Sequence, residues 1–263
     1  MQRRNALTAA GAILAAAATD AAAQTQQKKP IVLVHGAGHG GWCWRDVRSS
    51  LQRRGFEVFT PTLTGLGDKV HLRSPQIKLA THITDVVNLI DYEELNNVVL
   101  VGHSYAGMVV TGVSDARKSK MGHVIIIDGA IPEDGEISFP GNTVEEMQKR
   151  FGPLKDGYLV PMSLPGLGFP DPNTPQAKWV QRHLTEHLFQ TWIEPLPLPN
   201  GGTNGVPRTY VQCGDTRNLP PARQAKLDKV KGPTWNYVEK IGPHDVMVSD
   251  PEWTADLIAS KAA

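Results

Sequence analysis

Short apolar runs rich in β-branched residues alternate along this chain with longer amphipathic stretches. Ile31-Val32-Leu33-Val34, bounded by Pro30 and Gly36, reads as a strand buried on both faces. Residues 56–60, 98–101, 124–127, 209–212 and 235–238 read the same way. Between them, residues 44–54, 79–92, 105–118, 221–230 and 252–262 carry apolar stripes at helical spacing. Strand and helix alternate, which predicts a six-stranded, mostly parallel sheet with helices on both faces. Right-handed crossovers then bring every strand's C-terminal end to one edge, where ligand sites of open α/β sheets gather.

Residues 129–206 break the alternation. They show no convincing strand, are rich in Pro and Gly, and hold one expected helix over residues 175–190. The organisation predicted is a core of residues 24–128 and 207–263 with a cap of residues 129–206 inserted over the active edge. The cap's aromatics Phe151, Tyr158, Phe169, Trp179, Phe189 and Trp192 either line a pocket or form the cap's own core.

The first residues change the picture of where the protein works. Arg3 and Arg4 precede an Ala-rich stretch, and Ala21-Ala22-Ala23 offers small residues for cleavage. Residues 1–23 therefore read as a leader of the twin-arginine type, predicting an exported, periplasmic or secreted protein. The stretch is too short and too Ala-rich for stable membrane insertion. The 263 residues carry a net charge of +1 with no basic stripe, so nucleic acid is not an expected partner. Cys43 and Cys213 are the two cysteines; buried free thiols are the simpler expectation, and oxidation after export is the other. Neither belongs to a metal-ligand pattern, and no metal is expected.

The chemistry concentrates at Gly102-His103-Ser104-Tyr105-Ala106-Gly107, which follows the apolar run 98–101 directly. A strand that turns sharply into a helix with serine at the apex is a nucleophile elbow. Gly102 and Ala106 are small because backbone and helix approach closely there. Serine needs a base, and His244 in Gly242-Pro243-His244-Asp245 lies between the last strand and the last helix, on the active edge. His183 and His187 read as solvent-facing polar positions on the cap helix, His71, His82 and His123 lack context, and His103 points to the other side of the turn. Asp215, in a Gly214-Asp215 turn after the strand at 209–212, is the leading candidate for the acid, and Asp128, at the end of the strand at 124–127, is its rival. The backbone N–H of Tyr105 and that of Ala37, between Gly36 and Gly38, are the candidate oxyanion donors. Gly36, Gly38, Gly40 and Gly41 fit no phosphate-cradling pattern, so no nucleotide or other cofactor is expected.

Val32-Leu33-Val34-His35-Gly36-Ala37-Gly38-His39-Gly40-Gly41-Trp42-Cys43-Trp44 resembles the opening motif of plant methylesterases and hydroxynitrile lyases within the α/β-hydrolase superfamily. Phe59-Thr60-Pro61-Thr62-Leu63-Thr64-Gly65-Leu66-Gly67 is similar to their bacterial relatives. The resemblance implies an α/β-hydrolase fold with six parallel strands, His244 as base and Ala37 and Tyr105 as oxyanion donors. It implies a serine hydrolase, and the neutral, aromatic-rich, Pro/Gly-rich composition of residues 129–206 points to a small, apolar carboxylic ester as its substrate. Cyanohydrin lyases of the group carry threonine at the place of Gly36 and lysine at that of Asp245, and this chain carries neither. A cofactor-free lyase or oxygenase, and a non-catalytic binding protein, are the alternative readings.

Overall fold

The buried apolar runs Ile31–Val34, 98–101 and 124–127 form the middle of the molecule. The computed structural model describes residues 28–139, 143–167, 169, 171–217 and 221–263; the expected leader over residues 1–23 lies outside the described residues. The strands are β1 (Ile31–Val34), β2 (Val58–Phe59), β3 (Val98–His103), β4 (Met121–Ile127), β5 (Leu159–Val160), β6 (His187–Leu188), β7 (Arg208–Cys213) and β8 (Asn236–Lys240). The helices are α1 (Arg45–Arg53), α2 (Leu79–Tyr92), α3 (Ala106–Ala116), α4 (Val144–Phe151), α5 (Pro175–His183), α6 (Gln190–Ile193), α7 (Pro221–Val230), α8 (Val246–Ser249) and α9 (Pro251–Ala262).

The main sheet has six parallel strands in the order β2-β1-β3-β4-β7-β8, the α/β-hydrolase arrangement expected. Alternation along each strand divides the core in two. Val32, Val34, Leu100, Val124 and Ile126 face α2 and α3, meeting Val86, Ile90, Val109 and Val113. Ile31, Leu33, Val99, Val101, Ile125 and Ile127 face α1 and α9, meeting Val47, Leu51, Ala255 and Ile258. All these side chains are fully buried, the Val, Leu and Ile each contributing roughly 1.5–3 kcal/mol of apolar transfer.

Two local expectations change. The strand at 56–60 shortens to Val58–Phe59, because the Phe56 N–H is taken by Leu51 O at 3.1 Å and Pro61 has no N–H to continue the ladder. The helix expected over 175–190 stops at His183. Leu184 is extended, and the Thr185 N–H donates 2.8 Å to Gly38 O in the loop after β1, so a tertiary bond replaces the next helical turn. His187 and Leu188 then pair antiparallel with β5.

The chain runs from β1 to β2 on one side and from β3 to β4 on the other, so the switch in strand order falls between β1 and β3. The loops after β1, β3, β4 and β8 meet at that crevice.

Candidate active site

Ser104 follows the last residue of β3, and α3 begins two residues later. Its φ of +57° lies in the left-handed region, a conformation that costs a non-glycine residue about 1–3 kcal/mol. Two hydrogen bonds of 3.0 Å hold it: Ser104 N–H to Ile127 O, and Ala130 N–H to Ser104 O. The strict demand for a missing side chain falls on Gly107, where a Cβ would stand 2.1 Å from Ala130 O. That accounts for alanine at 106, fully buried yet tolerated, one place before the glycine. At Gly36 a Cβ would stand 2.9 Å from both Ser104 Cβ and His103 Nδ1, so a lyase-like threonine would push against the serine.

His244 lies in the loop after β8, and its Nδ1 is 2.6 Å from Asp128 Oδ2, a short charge-assisted contact. The second Asp128 oxygen accepts from Gln212 Nε2 at 3.1 Å. Asp215, the leading sequence candidate for the acid, is instead exposed and bonded to Arg217, which holds its carboxyl down at about 2. The reason lies in sheet order. β4 is the immediate neighbour of β3, whereas β7 is one strand farther out, by about 4.8 Å. No direct hydrogen bond joins the Ser104 hydroxyl to His244 in this arrangement; such contacts commonly tighten when substrate engages.

Ala37 and Tyr105 are both buried, and among the described residues neither N–H is bonded to a protein acceptor. His35 aims the first of them. Leu63 N–H donates to His35 Nε2 at 3.0 Å, so the ring proton is on Nδ1, which donates 2.9 Å to Gly36 O. The Ala37 N–H belongs to the same peptide plane and points the opposite way. Burial pushes His35 down to about 3, which keeps it in this neutral form.

Other histidines prove structural in ways the sequence reading did not anticipate. His187, read as solvent-facing, is fully buried: its Nδ1 accepts from Gly38 N–H at 3.3 Å and its Nε2 bonds Thr191 Oγ1 at 2.9 Å. His82 Nε2 donates 2.9 Å to Thr64 O, leaving Nδ1 to accept from the Tyr105 hydroxyl at 3.0 Å. His103 Nε2 donates 3.0 Å to His244 O, and burial pushes its ring down to about 3. His103, His244 and Asp245 place ligand atoms within 4.8 Å of one another, a spacing that suits a metal. Two of their nitrogens, His103 Nε2 and His244 Nδ1, are already bonded to His244 O and Asp128. Of these residues His103 offered a signal in the sequence, since it ends a strand immediately before the candidate nucleophile.

The cap's aromatics divide. Phe139, Phe151 and Trp192 cluster among themselves, with ring centroids 4.7–5.5 Å apart. Trp179 of α5 packs edge-on against Trp42 at 5.0 Å and locks the cap to the loop after β1. Cys43 and Cys213 are both buried and are not joined in a disulfide. Among the described residues no helix is long and apolar enough to cross a membrane.

Comparison with known proteins places this geometry. A carbendazim hydrolyzing esterase of Nocardioides sp. (strain SG-4G) is 37% identical over 87% of this chain and 98% of its own length. A putative chloroplastic methylesterase of Arabidopsis thaliana is 25% identical over 85% of this chain and 69% of its own. The fold of an extracellular alpha/beta-hydrolase from a Paenibacillus species superposes with a TM-score of 0.73 at 21% identity, covering 89% of this chain and 99% of that one. Residues 31–257 match the alpha/beta hydrolase family, and the chain belongs to it.

Proposed function

We propose that this protein cleaves a small, apolar carboxylic ester through an acyl-enzyme on Ser104. The observation that carries the reading is the 2.6 Å bond between His244 and Asp128 in the crevice that also holds Ser104. A carboxylate that accepts the Nδ1 proton leaves Nε2 unprotonated and able to take the serine proton, and stabilises the imidazolium that results. Ser104 attacks the ester carbonyl, and the Ala37 and Tyr105 N–H groups receive the charge that develops on its oxygen. The imidazolium returns the proton to the departing alcohol. Water, activated by the same imidazole, then releases the acid. The relative named for hydrolysing carbendazim supports ester hydrolysis at the level of the class. The leader read over residues 1–23 supports work outside the cytoplasm.

The test is a hydrolysis screen of esters graded in acyl and alcohol size, carbendazim included, on wild type beside Ser104→Ala. The variant should lose on the order of 10⁴–10⁶ in kcat. Undiminished turnover in Ser104→Ala would refute the reading.

A further inference from the structure

Behind the candidate triad lies a second, fully buried imidazole–carboxylate pair that the proposed chemistry leaves unused. His39 and Asp245 are 1% and 0% exposed, and His39 Nε2 is 3.0 Å from Asp245 Oδ2. The other ring nitrogen, Nδ1, is 2.8 Å from Ala37 O. A backbone carbonyl only accepts, and an ionised carboxylate only accepts, so both ring nitrogens donate and the ring is an imidazolium. Burial opposes that charge, yet Asp245 raises the His39 pKa above its ordinary value, and His39 in turn lowers that of Asp245 against the same burial.

The two ends of this pair touch the two loops whose mutual placement the reaction needs. On one side, Ala37 carries the candidate oxyanion N–H; its carbonyl is held by His39 while the preceding carbonyl, Gly36 O, is held by His35. On the other side, Asp245 is covalently next to His244, and its carbonyl accepts from Val248 and Ser249 N–H at the start of α8. His103, beside the nucleophile, closes the arrangement by donating to His244 O, with its ring centroid 4.5 Å from that of His244.

Resting on the Ser104 hydrolase reading, we propose that His39 and Asp245 are positioning residues: a charged bridge that sets the oxyanion loop and the base loop at a fixed separation. Stability alone does not account for it. A buried ion pair is commonly matched or exceeded in stability by apolar residues of similar volume, because desolvation offsets the attraction. What an apolar pair cannot supply is two directed hydrogen bonds ending on Ala37 O and on the residue beside the base. Among the described residues the second Asp245 oxygen has no hydrogen-bond partner and lies 3.8 Å from His103 Nε2, so His39 is the side chain that orients the carboxylate.

The experiment compares four variants with wild type, reading kcat, KM and Tm: Asp245→Asn, Asp245→Ala, the double variant His39→Leu/Asp245→Leu, and Ser104→Ala. The double variant removes both charges together and should melt at or above the wild-type temperature. Its kcat should nevertheless fall about 100-fold, the scale of an ångström-level misplacement of reacting groups, with KM within about threefold. Asp245→Ala should fall at least as far. Asp245→Asn should recover to within about fivefold of wild type, because its amide can donate to His39 Nε2 while Nδ1–H still donates to Ala37 O. Wild-type kcat in the stable double variant, or an Asp245→Asn variant as impaired as Asp245→Ala, would overturn the bridge. Turnover surviving in Ser104→Ala would overturn the hydrolase reading itself; an inactive Ser104→Ala beside a fully active double variant would overturn the bridge alone.

Discussion

Replacing Asp128 by asparagine should stop turnover while leaving the fold in place. Asp128 has a φ of +43°, a conformation that asparagine also tolerates, so the backbone has no reason to move. The damage is in a proton's address. Gln212 Nε2 donates to Asp128 Oδ1, which obliges the new amide to turn its oxygen toward Gln212 and its NH₂ toward His244 Nδ1. Nδ1 must then accept, the ring proton moves to Nε2, and Nε2 can no longer take the proton of Ser104. A tautomer fault of this kind costs about 10⁴ in kcat, or about 5 kcal/mol of transition-state stabilisation. Asp215→Asn is the matched control. Among the described residues Asp215 is exposed and paired with Arg217, so kcat should stay within about twofold. Steady-state hydrolysis of an activated ester at neutral pH, with circular dichroism to verify folding, decides between them. An Asp215→Asn variant that loses activity beside an active Asp128→Asn variant would refute the assignment.

Two further outcomes follow from the packing. Gly107→Val should lower Tm and the yield of folded protein, since even its Cβ meets Ala130 O at 2.1 Å; a cost of at least about 1–3 kcal/mol is expected in urea unfolding, and an unchanged midpoint would contradict the elbow packing described. Acid should destabilise the protein through its buried neutral histidines. His35, His103 and His82 are held down at about 3, 3 and 4, whereas in the unfolded chain they titrate near 6.5. Below pH of about 6.5 the unfolded chain therefore binds more protons, and three such rings lower the unfolding free energy by about 4 kcal/mol per pH unit until the folded rings begin to titrate. Within the buried ion pair, Asp245 acts in the same direction, its lowered contribution being present above about 3.8 and lost with acid, and His39 acts in the other, its raised contribution being fully present below about 6.5. It does not offset the loss, because His39 gains no proton on unfolding in that range. Urea midpoints that stay flat from pH 7 to pH 5 would contradict this.

The fold was legible because its signals are local. Uninterrupted runs such as Ile31–Val34 and the strand leading to Ser104 announce buried parallel strands, and the turn into α3 announces the elbow. The place of His244 on the active edge was legible from its position between the last strand and the last helix. The acid was not, because its choice depends on which strand lies beside β3, and neighbours in a sheet are set by crossovers that no local pattern records. Asp215 has the better turn sequence; Asp128 has the better neighbour. The same limit applied to His187. Read as a solvent-facing position on the cap helix, it becomes a buried hydrogen-bonding group because the Gly38 N–H arrives from a distant part of the chain, with Thr191 four residues away taking its other nitrogen. The cap helix ended early for a related reason: Gly38 O, about 150 residues upstream, captured the Thr185 N–H.

The central claim is that Ser104 is the atom that becomes acylated. Mass spectrometry of the protein after brief exposure to a fluorophosphonate tests it most directly. The account requires one adduct, on the peptide containing Ser104, formed at a rate that falls sharply in Asp128→Asn. Full ester turnover with Ser104 unmodified, or an adduct carried by a different residue, would contradict it.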